Sequence, residues 1–187
     1  MRRFLIPALM ISLLLTGCGE NAAERKIEQQ RERLAAAEQL SFCAEITAKW
    51  ADEVFTCTLD CTSTAEEITV AVAAPESIAG VTAHLREGES EVEYGGVRLS
   101  VGTAGLQGLQ PISAIPLLCT ALKAGHVIRS WTEKTDSGAL IAAEIFAEED
   151  YGLTLWFDSS TLQPRHAELS ADGVVMITCD VSDFPVQ

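Results

Sequence analysis

Residues 43–62, CAEITAKWADEVFTCTLDCT, decide the fold class. Apolar and polar residues alternate on both sides of Asp52-Glu53. If these two acids form a two-residue turn, Ala51 pairs with Val54. Trp50 then faces Phe55, Ala48 faces Cys57, Ile46 faces Leu59 and Ala44 faces Cys61. The other face carries Lys49 with Thr56, Thr47 with Thr58 and Glu45 with Asp60. Successive strand side chains point to opposite sides, so one apolar and one polar face predict a half-buried antiparallel hairpin. The like-charged Glu45/Asp60 pair weighs against this register.

The period of two continues outward from the hairpin. Ile68, Val70 and Val72 share one side of EEITVAVAA, and Val81, Ala83 and Leu85 follow after a break at Pro75-Glu76-Ser77. VEYGGVRLSVG contains Gly95-Gly96, a signal for a tight turn or a bulge. A glycine-rich loop, GTAGLQGLQ at 102–110, leads to a short apolar helix expected over 113–124. Ser113 would cap it, Pro116 would sit in its first turn and Gly125 would stop it. HVIRSWTEK, ALIAAEIFAEE, YGLTLWFDSS, RHAELSAD and VVMITCDVSDF then read as strands between Gly, Asp and Ser turns. Nine or ten strands at this spacing predict a mainly-β, α+β fold: one curved antiparallel sheet or open half-barrel. The inserted apolar helix would be buried on its concave face.

Residues 21–40, NAAERKIEQQRERLAAAEQL, hold no Gly or Pro. Ala23, Ile27, Leu34, Ala37 and Leu40 form a thin apolar stripe. This predicts an N-terminal helix that acts as a spacer partly docked on the body, since the stripe is too short for a coiled coil.

The first eighteen residues read as an address. Arg2 and Arg3 precede an apolar run from Phe4 to Leu15, followed by Leu15-Thr16-Gly17-Cys18. The run is too short to span and stay, so it reads as a signal peptide. The last four residues resemble a bacterial lipobox. The resemblance implies cleavage before Cys18 and acylation there with diacylglyceryl and palmitate-type chains, enough for stable anchoring. Gly19 rather than Asp follows Cys18. By resemblance to diderm sorting rules this implies the outer membrane; in a monoderm the anchor is the outer leaflet of the plasma membrane.

The chain has 187 residues, 13 Lys+Arg and 27 Asp+Glu, a net charge of −14. Loss of residues 1–17 removes Arg2 and Arg3 and no acid, which makes the charge more negative still. Such a surface excludes nucleic acid and is repelled by anionic lipid, so a lipid anchor rather than charge would hold the protein at a membrane.

Catalytic and metal signatures are missing. There is no G-x-S-x-G, no Cys-x-x-Cys pair, no spaced acidic calcium loop, and His84, His126 and His166 stand far apart. No cofactor, no metal site and no enzymatic activity are expected. Five cysteines remain besides Cys18, an odd number, and they read as small buried hydrophobes. A bridge from Cys179 to Cys57 or Cys61 stays open. Trp50 falls on the apolar face, while Trp131 and Trp156 point either way.

Three stretches carry a further resemblance: LQPISAIPLLCTAL (109–122), LTLWFDSSTLQPRHAEL (153–169) with its Trp-x-Asp and turn to Pro, and the closing VVMITCDVSDF (174–184). Together they resemble the LolA-like superfamily. It includes lipoprotein-localisation carriers, LppX-type lipid-binding lipoproteins and periplasmic sensors that restrain anti-sigma factors. The resemblance implies a half-barrel of antiparallel strands with helices plugging its open side. The expected organisation is a signal peptide at 1–17, a lipidated N-terminus and helical spacer at 18–41, and the half-barrel at 42–187. The expected function is that of a membrane-anchored extracytoplasmic lipoprotein that holds a lipid or other hydrophobic ligand. Its concave face would be lined by Ile46, Trp50, Phe55, Leu59, Val70, Val72, Leu118 and Ile177. The alternative is a regulatory or protein-interaction module at the cell envelope, with an exported protein as partner and no ligand.

Overall fold

The computed structural model describes residues 22–50, 53–101, 111–136, 138–148 and 151–184. The signal-peptide and lipidation readings lie outside these residues, as do the 102–110 loop and the acids Asp52, Glu149 and Asp150. After helix α1 (Ala22–Ala36), the chain enters the middle of a sheet and works outward. The strands of this half are β1 (Leu40–Trp50), β2 (Glu53–Ser63), β3 (Ile68–Ala74), β4 (Thr82–Arg86), β5 (Glu89–Tyr94) and β6 (Val97–Ser100). Helix α2 (Pro111–Ala124) connects to the opposite edge. Strands β7 (His126–Thr135), β8 (Gly138–Glu148), β9 (Tyr151–Asp158), β10 (Pro164–Ala171) and β11 (Val174–Ser182) then return to the middle. Eleven strands form one antiparallel sheet that does not close, in the order β6-β5-β4-β3-β2-β1-β11-β10-β9-β8-β7. The extra strand relative to the sequence reading comes from Gly95-Gly96. Both glycines have positive φ, so they make a tight turn between β5 and β6 rather than a bulge in one strand.

The first hairpin forms with its apolar face as expected and its register two residues away from the expected one. Ala48 lies opposite Phe55, Ile46 opposite Cys57, Ala44 opposite Leu59 and Phe42 opposite Cys61. A shift of two preserves the face, because the side-chain period is two. It also separates the like charges: Glu45 now meets Thr58, and Asp60 meets Cys43.

Helix α2 starts two residues earlier than expected, with Pro111 at its first position, where proline loses no hydrogen bond. Ser113 is therefore a buried residue inside the helix and not its cap, and Pro116 falls in the second turn. The stop after Ala124 is as expected, and Gly125 is required there for space. A Cβ on Gly125 would sit 2.3 Å from Ile145 Cγ2 and 2.9 Å from Ala121 Cα.

Both helices lie on the inner face. Helix α2 packs on β8, β1 and β3, and α1 packs on α2, β7 and β8. The stripe predicted for α1 is buried through Ala23, Ile27 and Leu34, with the stem of Arg31 alongside. Burying a side chain such as Ile27, which is 0% exposed, contributes about 1.5–3 kcal/mol. Ile115, Leu118 and Leu122 of α2 join it in the core with Ile46, Leu155, Phe157 and Ile177.

All five described cysteines are free. Cys57 and Cys179 flank Ile46 from opposite sides, so β1 separates them by two strand spacings, about 10 Å. That is beyond disulfide reach and rules out the bridge left open between them.

The turn after β9 explains the Trp-x-Asp stretch. Asp158 Oδ1 accepts hydrogen bonds from Ser160 N at 2.9 Å, Ser160 Oγ at 2.5 Å and Thr161 N at 2.9 Å. These bonds hold its carboxyl far below the usual carboxylate range. The depressed folded value means that the ionised form stabilises the fold above the unfolded carboxylate pKa and loses that contribution as pH falls through the folded one. Asp158→Ala is thus expected to lower stability to urea at pH 7, with the gap to wild type narrowing below about pH 4; a gap that is constant with pH would contradict this. Gly125→Ala is expected to destabilise by about 1–3 kcal/mol through overpacking, readable as a lower urea midpoint at unchanged m-value.

Candidate functional site

The two helices do not fill the inner face. Beyond α2, β2 to β5 enclose a cavity of about 160 Å³. Phe55, Cys57 and Leu59 come from β2, Val70 and Val72 from β3, Ala83 from β4 and Val92 from β5. Ile78 and Val81, on the connection between β3 and β4, complete it. Every lining residue is apolar. The strand alternation positions them: Val70 opposes Ala83, and Ala83 opposes Val92, so the three side chains share one face.

The same face runs on, uncovered, toward the sheet edge. Val92 opposes Leu99, and Tyr94 opposes Val97. Leu99 keeps 63% of its surface exposed, and Tyr94, Val97 and Val101 are exposed as well. Together they form a run of exposed apolar side chains on one face of the sheet.

The residues expected to line the concavity divide between cavity and core. Phe55, Leu59, Val70 and Val72 meet in the cavity, Phe55 at its exposed rim. Ile46, Leu118 and Ile177 lie in the closed core that contains α2. The side chain of Trp50 lies outside the described residues. Cys57, Ile78, Val81, Ala83 and Val92 were missed as lining residues, although the inner-face positions of Cys57, Ala83 and Val92 follow from the same alternation.

Next to the cavity, at the strand ends, lies a second and more polar pocket of about 290 Å³. Ile68, Leu85, Pro116 and Cys119 give it an apolar floor, and Ser63, Lys123, Arg86, Glu66 and Glu87 stand around it. Lys123 Nζ donates to the buried Ser63 Oγ at 3.1 Å. Sequence reading missed this pocket because Ser63 and Lys123 are distant in the chain and meet only when α2 crosses β2.

The outer face is polar and tightly paired. His84 Nδ1 lies 2.8 Å from Glu67, and Arg98 Nε donates to Glu93 at 2.7 Å, which keeps the Glu93 carboxyl below its ordinary value. A bulge between Val127 and Arg129 turns Val127 inward and Arg129 and Trp131 outward. Trp131 and Trp156 both face outward, half-buried, on either side of Ala142, which they cover completely. Their indole N–H groups donate to the two oxygens of Glu133, at 2.5 and 3.1 Å. His166 packs edge-on to Trp156 and lies 2.7 Å from Asp180. Among the described residues, no three His, Cys, Asp or Glu side chains converge as a metal site. No described helix is long and apolar enough to cross a membrane.

No protein-family model and no curated protein matches the sequence. Solved structures do match. A DUF1329 family protein from Desulfovibrio piger aligns over 87% of this chain and 91% of its own, with 10% identity and a TM-score of 0.52. A LolA superfamily protein from Nitrosomonas europaea aligns over 87% and 93%, with 13% identity and a TM-score of 0.45. Lipoprotein LppX from Mycobacterium tuberculosis aligns over 89% and 97%, with 14% identity and a TM-score of 0.47. The fold is an open, unclosed antiparallel sheet with helices on one face, consistent with the half-barrel expected from the LolA-like resemblance. At these identities the likeness extends to the fold alone.

The inward thiols of this half-barrel are chemically quiet. Burial pushes the Cys119 thiol up to about 11 and the Cys179 thiol up to about 12, and raises Cys57 and Cys61 as well. At pH 8 iodoacetamide is expected to modify the half-buried Cys43 first among these five, and the other four only after unfolding; rapid native alkylation of Cys61 would contradict the closed core.

Proposed function

We propose that the protein is a non-enzymatic extracytoplasmic lipoprotein, anchored through acylated Cys18, whose open concavity holds a lipid or another apolar ligand. The observation that carries this reading is the inner face of β2 to β6. It combines an all-apolar cavity with exposed Leu99, Val97, Tyr94 and Val101 on the same surface. A face of this kind in water is stabilised by an apolar occupant. At about 160 Å³ the enclosed part takes the end of a chain rather than a whole lipid, and the rest of the ligand lies along the exposed strands. In this reading residues 1–17 are removed on export, and 18–21 link the lipid to α1. Helix α1 is then both the end of the tether and part of the plug. A tethered holder serves ligands that reach the membrane where it is anchored.

A second reading, a protein-interaction module at the envelope, is favoured by Trp131 and Trp156. They keep part of their surface exposed on the outer face, where tryptophans serve as contacts.

The test is to purify the full chain from membranes and analyse extracted ligands by mass spectrometry. An apolar ligand at about one per chain is expected. It should be lost from Ala83→Phe, which fills the cavity, while Cys18→Ala moves the protein to the soluble fraction. Ligand-free wild-type protein would favour the interaction module, and a membrane-bound Cys18→Ala would refute the anchor.

A further inference from the structure

The apolar cavity and the polar pocket beside it lie on adjacent rungs of the same two strands. Ile68 and Leu85, directly opposed on β3 and β4, floor the polar pocket. Val70 and Ala83, the next inward pair, line the cavity. Two residues along a strand is about 7 Å, so an extended chain can lie across both. The polar pocket supplies a cation at its inner wall. Among the described residues Lys123 has no carboxylate within ion-pair distance. Its partner is the Ser63 hydroxyl, which uses one of the three ammonium donors. The other cation, Arg86, is already paired with Glu67, which His84 also holds. Glu66 and Glu87 are exposed at the mouth, and Glu67, which also lines the pocket, is taken up by Arg86 and His84, which leaves the inner wall to Lys123. The position of Lys123 in the last turn of α2 suits a cation, yet the partial negative charge at a helix C-terminus, roughly half an elementary charge, is not a full counter-ion.

We propose that this pocket binds the head of a single-chain fatty carboxylate: the carboxylate on Lys123 and Ser63, the chain running over Ile68 and Leu85 into the cavity at Val70, Ala83 and Val92. The two volumes, about 290 and 160 Å³, suit one chain rather than two. The inference rests on the apolar-ligand reading and adds a head-group site and a direction to it.

The test uses the full chain in lipid nanodiscs and two photoprobes, hexadecanoate and hexadecanol, each with a diazirine at the chain end. Hexadecanoate is expected to label β3 to β5. Lys123→Met should lower that labelling about tenfold or more, the loss of one charge-assisted hydrogen bond. Lys123→Arg should retain it, and hexadecanol should label weakly and equally in all three proteins. Equal labelling by both probes, or undiminished hexadecanoate labelling of Lys123→Met, overturns the head-group site and leaves the apolar concavity standing. Labelling of the inner face by neither probe overturns both. Lys123 is half-buried and its methylene stem is conserved in methionine, and circular dichroism melts of both variants check that the fold is retained.

Discussion

The architecture depends on one constraint: the two edge strands of the sheet are consecutive in the chain. After β6 the chain must reach β7 at the opposite edge. In a flat sheet ten strand spacings would separate them by about 48 Å. Fourteen helical residues cover only about 21 Å. A curved sheet brings the two edges closer together, and the connection lays an apolar helix across the inner face. Ile115, Leu118 and Leu122 are buried where α2 lies on the sheet, while Thr120 and Ala124 stay exposed on its other side. Helix α1 then packs against α2 and the β7–β8 half, and the β2–β6 half receives less cover.

The two faces of the sheet have opposite requirements. Inside, each apolar side chain is satisfied by any apolar neighbour, so a ligand can stand in for protein. Outside, the groups are directional and already matched. Glu133 takes both indole N–H groups, His84 and Arg86 share Glu67, and Arg129 pairs with Glu144 while lying over Trp131. Ala142 shows how closely the outer layer is built, since a larger residue there would displace two tryptophans. Interchangeable partners on one side and committed partners on the other make the concave face the adaptable one.

The fold was legible where side-chain period alone determines structure. The alternation of Ala44, Ile46 and Ala48 against Cys57, Leu59 and Cys61 specifies a face whatever the register, so the hairpin survived a two-residue error in pairing. The register itself is set by the turn and its length; the Glu45/Asp60 conflict weighed against the expected one, yet Glu45 still lies opposite an acid, Asp180 of β11. The start of α2 was misread because Ser113 is a good cap in isolation, while Pro111 fits the first helical position equally well. The outward turn of Trp131 depends on a bulge at Val127, which local pattern does not announce. Of the candidate site, the β2 and β3 residues were readable as one strand face. The Ser63–Lys123 contact was not, because it exists only through the crossing of α2 over the sheet.

The seam between β1 and β11 has a consequence for how the molecule assembles. Cys43 pairs with Ser182 and Ala48 with Ile177, contacts between the first and last strands of the chain. Every other strand pairing is between sequence neighbours. During synthesis β1 to β6 can zip up as successive hairpins, while one edge of β1 waits for the final strand. The slowest loop closure thus comes last and falls at the centre of the sheet rather than at its rim. Until then the nascent chain carries an unpaired apolar strand edge, the species on which a holding chaperone would act.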